Sequence, residues 1–287
     1  MDDFIMKPKI DFAFKELMTD EMVRKGFLAA FLKLNPDDIK ETSLLNTNLR
    51  REHEDDKQGI LDVRVALNSD TEIDVEINLT KLDVWANRSL FYLAKMYTEQ
   101  IKPGDSYVKL KKCVSISILD FRLFENEPDF YSCFHIREDN RHFLYTDKME
   151  FHVIELPKLP EKLKEGDNIL AWAKFINAER REEFEMLAGR DKYLEAAYSH
   201  LQTISQDENK RMEYEARQRA IRDHNQYMLE AHERGLKEGV EKGRTEGRKE
   251  GWTEGVTGIA KKLLAMGLDL DTISKGTGLT VEQIQKL

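Results

Sequence analysis

The chain has 287 residues, 40% hydrophobic and 34% charged, with a formal net charge of -9. That length supports one large domain or two modest ones, and no apolar run approaches the roughly 20 residues that cross a bilayer. The acidic total argues against unspecific wrapping of nucleic acid by the whole surface but leaves room for a local basic groove. An N-terminus with early acidic residues and no apolar signal core predicts a cytoplasmic protein without a membrane partner.

Residues 8–34 read as helical, with a break near Thr19 and Asp20. Residues 39–50 read as a short helix or loop, and the solvated run REHEDDKQG follows. The stretch ILDVRVALNSDTEIDVEINL then has the two-residue period of paired strands. Leu61, Val63, Val65 and Leu67 fall on one face, with Asp62 and Arg64 on the other. Ile73, Val75, Ile77 and Leu79 likewise alternate with Glu72, Asp74, Glu76 and Asn78, and Asn68-Ser69-Asp70 fits the turn between the strands.

Residues 82–101 predict a helix with a buried stripe of Leu82, Ala86, Leu90, Leu93, Ala94, Tyr97 and Ile101; Arg88 and Tyr92 lie on another side. Tyr107, after Pro103-Gly104, reads as a turn anchor. Residues 114–121, 131–137, 142–145 and 151–156 are strand candidates, so the first half is a mixed α/β domain. Residues 169–187, 192–204 and 208–232 are expected to be helices.

Gly235, Gly239, Gly243, Gly247, Gly251 and Gly255 recur every four residues, interleaved with five basic and five acidic side chains. Each interior glycine costs a helix about 1 kcal/mol against alanine. A marginal helical linker, a docking or self-association helix, and disorder all suit that pattern. The tail predicts three short helices (259–266, 270–275 and 281–287), with Thr280 as an N-cap. The last of them, VEQIQKL, offers a single lysine, which suits a packing element better than one that reads bases.

Cys113 and Cys133 lie in apolar, strand-like sequence and read as reduced thiols. Cys133 and His135 share a strand face, but two ligands do not make a metal site. His135, His142 and His152 lack close ligand spacing and read as scattered core or surface residues.

The polar faces of the hairpin are the strongest chemical signal. They suit either solvated ribbon or a divalent-metal site, since Mg²⁺ takes one or two carboxylates plus phosphate oxygens. Carboxylates inside a layered α/β domain need a compensating partner, which favours the metal site.

At these residues the chain resembles the Rpn family of recombination-promoting nucleases and putative transposases, in the PD-(D/E)xK nuclease superfamily. KPKIDFAFKELM resembles the family opening, DDKQGILDVRV with IDVEINL its metal-binding hairpin, and residues 88–121 its helix, turn and strand. YEARQRAIRD, the repeated glycines and GLTVEQIQKL resemble later family features.

The resemblance implies a restriction-endonuclease-like mixed-sheet core at 1–160. A helical region (161–234), a glycine-repeat helix or linker (235–257) and a small helix-turn-helix-like tail (258–287) would follow. It implies a metal-dependent DNA endonuclease, with a catalytically inactive DNA-binding or assembly module as the alternative. Asp62 and Glu76 would be the metal ligands, holding Mg²⁺ with Mn²⁺ or Ca²⁺ as substitutes. Asp11 or Glu16 would complete the set, Asp11 being preferred. Lys57, Arg88 and Tyr92 would face substrate phosphate, although for Arg88 a brace on a carboxylate is an equal alternative. Asn78 departs from the pattern, because the superfamily often has lysine there and this family glutamine. An amide orients water or phosphate but is no base near neutral pH. DNA is the implied partner, with self-association through the C-terminal helices.

Overall fold

The computed structural model describes residues 4–49, 60–81 and 83–287. Two compact units make up the chain, Met1–Gln218 and Arg219–Leu287.

The first unit opens with helices α1 (Asp11–Leu17) and α2 (Glu21–Leu32). They part where the sequence predicts, because Asp20 leaves the helix to cap the next one, accepting the Val23 N–H at 3.0 Å. Strands β1 (Thr42–Leu44), β2 (Val63–Leu67) and β3 (Thr71–Asn78) follow. Asn68 (φ 48°) and Ser69 (φ 60°) occupy the left-handed region in the loop between Leu67 and Thr71, where the Asp70 N–H donates to the Leu67 carbonyl at 3.2 Å.

Helix α3 (Trp85–Thr98) is the crossover that lets β4 (Lys112–Leu119) lie parallel to β3. Strands β5 (Tyr131–Arg137) and β6 (Leu144–Glu155) complete a six-stranded mixed sheet ordered β1-β2-β3-β4-β6-β5. Central β4 is buried along nearly its whole length, as an apolar strand between two parallel neighbours must be.

Three sequence expectations need correction here. The strand candidates 142–145 and 151–156 are one strand, because backbone pairing with β5 carries the polar TDKME segment across the gap. His142 itself sits at φ 58° ahead of the strand. The predicted stripe of α3 is rotated: Trp85, Ser89, Tyr92, Leu93 and Met96 are buried, whereas Leu90 is exposed. Tyr107 anchors nothing, being 80% exposed.

Helices α4 (Asn168–Asn177), α5 (Arg181–Ala188) and α6 (Lys192–Gln206) close this unit. The expected single helix 169–187 is split, since Ala178 is extended and Glu183 folds back to accept the Glu179 and Arg180 N–H groups. Phe27 of α2 meets Trp172 of α4 edge-on at 5.7 Å. Gly26 lets α6 pack closely on α2, because a Cβ there would fall 2.3 Å from the Tyr193 Cβ.

Helix α7 (Glu208–Ala265) begins in the first unit, where the Tyr214 hydroxyl accepts the Lys7 N–H at 3.0 Å. It continues without a break through all six repeated glycines, and a Cβ at any of them would meet open space. In the second unit, Ala260 of α7 is buried with Ile273 of α8 (Leu270–Thr277) and Ile284 of α9 (Val281–Gln285). Thr280 caps α9 as the sequence predicts, forming a capping box with Gln283. Among the described residues no helix is long and apolar enough to cross a membrane.

Candidate active site

The register Val63↔Val75 and Arg64↔Asp74 aligns the polar positions of β2 and β3 on one side of the sheet. Asp62 stands just ahead of β2, and its Oδ2 accepts the Ile77 N–H at 3.3 Å. That bond holds the carboxylate beside Glu76. Asp74, two residues before Glu76, shares its face. The side chains of Asp74 and Glu76 are almost closed to solvent, while Asp62 remains partly open.

Each flanking helix contributes one cation. Lys15 of α1 places its Nζ 3.0 Å from Asp62 Oδ1 and 4.0 Å from Asp11 Oδ2. Arg88 of α3 brings an Nη2 to 3.7 Å from Glu76 Oε2, with its guanidinium carbon 5.1 Å from the centre of the Tyr92 ring. Arg64 lies on the same face but is committed elsewhere, to Glu72 at 2.7 Å and Glu99 at 2.6 Å.

Compensation of the buried acids is therefore incomplete. Burial pushes Asp74 well above the ordinary carboxyl range, and the neighbouring charges of Glu76 and Asp62 push it further. Burial raises Glu76 to about 7 against the pull of Arg88, with Asp62 adding to the rise. Asp74 Oδ1, Glu76 Oε1, Asn78 Nδ2 and Arg88 Nε are all buried without a hydrogen-bond partner. Asn78 is near enough to Glu76 to favour its charged form, yet its Nδ2 donates no well-directed bond. Buried carboxylate oxygens left bare in this way are costly unless a cation takes them up. The donor set of hard oxygens suits a divalent ion such as Mg²⁺.

The structure thus gathers Asp62, Asp74, Glu76, Asn78, Arg88 and Tyr92 around one end of the hairpin. Tyr92 is 8% exposed and packs with Leu93, Met96 and Cys113, so its ring supports Arg88 from the core side. Asp11 reaches the group through Lys15, and its carboxylate is held by Arg217 at 2.7 and 2.9 Å. Glu16, the other candidate, is paired with Lys210 at 2.5 Å. Lys57 lies outside the described residues. The residue that sequence reasoning missed is Lys15. Its one local signal is the Asp11–Lys15 spacing of four on a short helix.

A second polar group lies on the opposite face of the sheet. The registers Glu76↔Ser117, Ser117↔Val153 and Cys133↔His152 put His152 and Glu150 on the side away from Glu76. Cys133, Glu150 and His152 offer ligand atoms within 4.8 Å of one another, and His135 lies beside them, its Nδ1 3.9 Å from Cys133 Sγ and its Nε2 3.4 Å from Glu150 Oε2. Contrary to the sequence reading, His135 and His152 are therefore not scattered; His142 stays apart in its turn.

A family model described as PD-(D/E)XK nuclease family transposase matches residues 8–231, which include every carboxylate of the hairpin. A second, described as the C-terminal HTH domain of the Rpn/YhgA-like nuclease family, matches residues 255–287. No curated protein and no solved structure matches the chain. The two matches leave only residues 232–254, most of the glycine repeat, between them, and the chain belongs to the PD-(D/E)XK transposase-type nucleases of the Rpn/YhgA-like family.

Proposed function

We propose that this protein is a divalent-metal-dependent DNA endonuclease that hydrolyses phosphodiester bonds, acting in recombination or mobile-element biology. The observation that carries this reading is the pair of buried, unpartnered oxygens, Asp74 Oδ1 and Glu76 Oε1, beside Asp62. Asp62 and Glu76 would hold Mg²⁺, with Mn²⁺ as a substitute, and Asp74 would add charge beneath them. The bound ion would supply positive charge against the phosphate and lower the pKa of water.

The chain's own residues divide the remaining work. Arg88 braces Glu76 from α3 and Tyr92 fixes that guanidinium. Lys15 is the cation at the open end of the hairpin, where it meets the negative charge that develops on a cleaved phosphate. Asn78 orients phosphate or water through its free Nδ2, without acting as a base. The helix-turn-helix tail adds a separate DNA contact.

Plasmid cleavage by the full-length protein with Mg²⁺ or Mn²⁺ tests this reading. Asp62→Ala and Glu76→Ala are each expected to lower the rate by about 10³-fold or more, and Lys15→Met by about 10²-fold. Cutting that persists in chelator, or that ignores Asp62→Ala, would overturn the assignment. A second reading, a nuclease-like DNA-binding or assembly module without turnover, is favoured by Asn78, an amide one methylene shorter than the family's glutamine where the superfamily often has lysine. Absence of cutting with every ion, alongside retained DNA binding, would establish it.

A further inference from the structure

We propose that Cys133, Glu150 and His152 form a second metal site, with His135 beside it, selective for a thiophilic transition ion such as Zn²⁺, on the sheet face opposite the nuclease carboxylates. The site follows from strand geometry. Cys133 and His135 are two apart on β5, Glu150 and His152 two apart on β6, and the antiparallel register pairs Cys133 with His152 and His135 with Glu150. That register brings Cys133, Glu150 and His152 together on one face, with His135 next to them.

The separations approach those of a coordination shell. Zinc bonds of about 2.0–2.3 Å in a tetrahedron place ligand atoms roughly 3.3–3.8 Å apart. Cys133 Sγ lies 3.6 Å from Glu150 Oε1, and one ligand atom from each of Cys133, Glu150 and His152 lies within 4.8 Å of the other two. His152 Nε2 is 2.7 Å from Glu150 Oε1, so a small outward movement of the carboxylate would complete the shell.

Two further observations point to an ion rather than a self-contained network. His152 is 2% exposed, yet its Nε2 makes no well-directed hydrogen bond despite lying close to Glu150. Its other nitrogen, Nδ1, is fixed at 2.8 Å by the Tyr131 hydroxyl, the kind of outer partner that sets the orientation of a ligating histidine. Lys112 now pairs with Glu150 Oε2 and occupies the role of counter-cation. The Lys112 side chain is 30% exposed, so it can swing to solvent when an ion takes its place. Filling the site would fasten β5, the edge strand of the sheet, to β6.

Cobalt titration of the full-length protein provides the test, because a thiolate ligand gives Co²⁺ a sulfur-to-metal charge-transfer band. The wild type is expected to show that band, to lose it on adding one equivalent of Zn²⁺, and to melt at higher temperature with Zn²⁺ bound. Cys133→Ser should abolish the band, and His152→Gln should weaken cobalt binding by at least about tenfold. The double variant Asp62→Ala/Glu76→Ala should keep the band, separating this site from the nuclease centre. Far-ultraviolet circular dichroism would establish that each variant is folded. A wild type without the band, or a band that survives Cys133→Ser, would overturn the proposal.

Discussion

Glu76 and Glu150 lie on opposite faces of one sheet, and their surroundings drive them in opposite directions. Glu76 is raised to about 7, because burial and the charge of Asp62 outweigh what Arg88 and Lys15 return. Burial would also raise Glu150, but the His152 ring and the Lys112 ammonium hold it well below the usual carboxylate range. In the ion-free protein one face is thus short of positive charge, whereas on the other Lys112 and His152 stand against Glu150. A buried acid cluster with too few cations stores unfavourable energy that an incoming ion releases. The difference is that Glu150 has a counter-cation that an ion would displace, whereas Glu76 has none that suffices.

The largest expected consequence is a pH dependence of stability in the metal-free protein. Glu76 binds its proton more tightly folded than unfolded, so stability falls as pH rises from its ordinary 4.5 to about 7. Its share is on the order of 3 kcal/mol. Glu76→Gln is expected to flatten that decline, measured as urea unfolding midpoints across the range in chelator. Equal slopes for variant and wild type would mean that Glu76 is compensated after all.

Glu150 should show the reverse sign. Its depressed value contributes stability that is present above the ordinary 4.5 and is lost as pH falls. Glu150→Gln is expected to cost about 2 kcal/mol near pH 7, since Lys112 and His152 would face an uncharged amide. The difference from wild type should shrink steadily in acid. A variant as stable as wild type at pH 7 would show that the ion pairs on this face contribute nothing net, and the contrast between the faces would fail.

How much of this contrast the sequence carried depends on the range of the contacts. The hairpin was legible because alternation over Val63–Leu67 and Thr71–Asn78 is a local signal, and the turn residues Asn68 and Ser69 supply the conformations it needs. The resemblance then placed Asp62, Glu76 and Asn78 on it. Lys15 escaped notice because its partner Asp62 is far along the chain, and helix periodicity says nothing of which strand a lysine meets. The face of α3 was misread since Leu90 is apolar yet exposed, whereas Ser89 and Tyr92 turn inward. The Cys133–His152 group was illegible for a different reason. Its members become neighbours only through the β5–β6 register, and TDKME hid the strand that carries two of them.

The smallest expected effect concerns Asn78 and asks whether the bare face is tuned or decayed. Asn78 ends β3 with Nδ2 buried and unpartnered, beside Glu76. Glutamine keeps the amide and extends it by one methylene, so the group would shift by roughly the ångström at which catalytic placement begins to matter. If the amide already orients phosphate or water, Asn78→Gln should change the cleavage rate by no more than about tenfold, and Asn78→Ala should lower it further. If the position has drifted from a longer amide, glutamine should instead raise the rate while alanine leaves it unchanged. Single-turnover cleavage at saturating Mn²⁺ distinguishes these outcomes, because it reads the chemical step apart from DNA binding and release. A tuned result would mean that Lys15, approaching from α1, carries the positive charge that the end of β3 no longer provides.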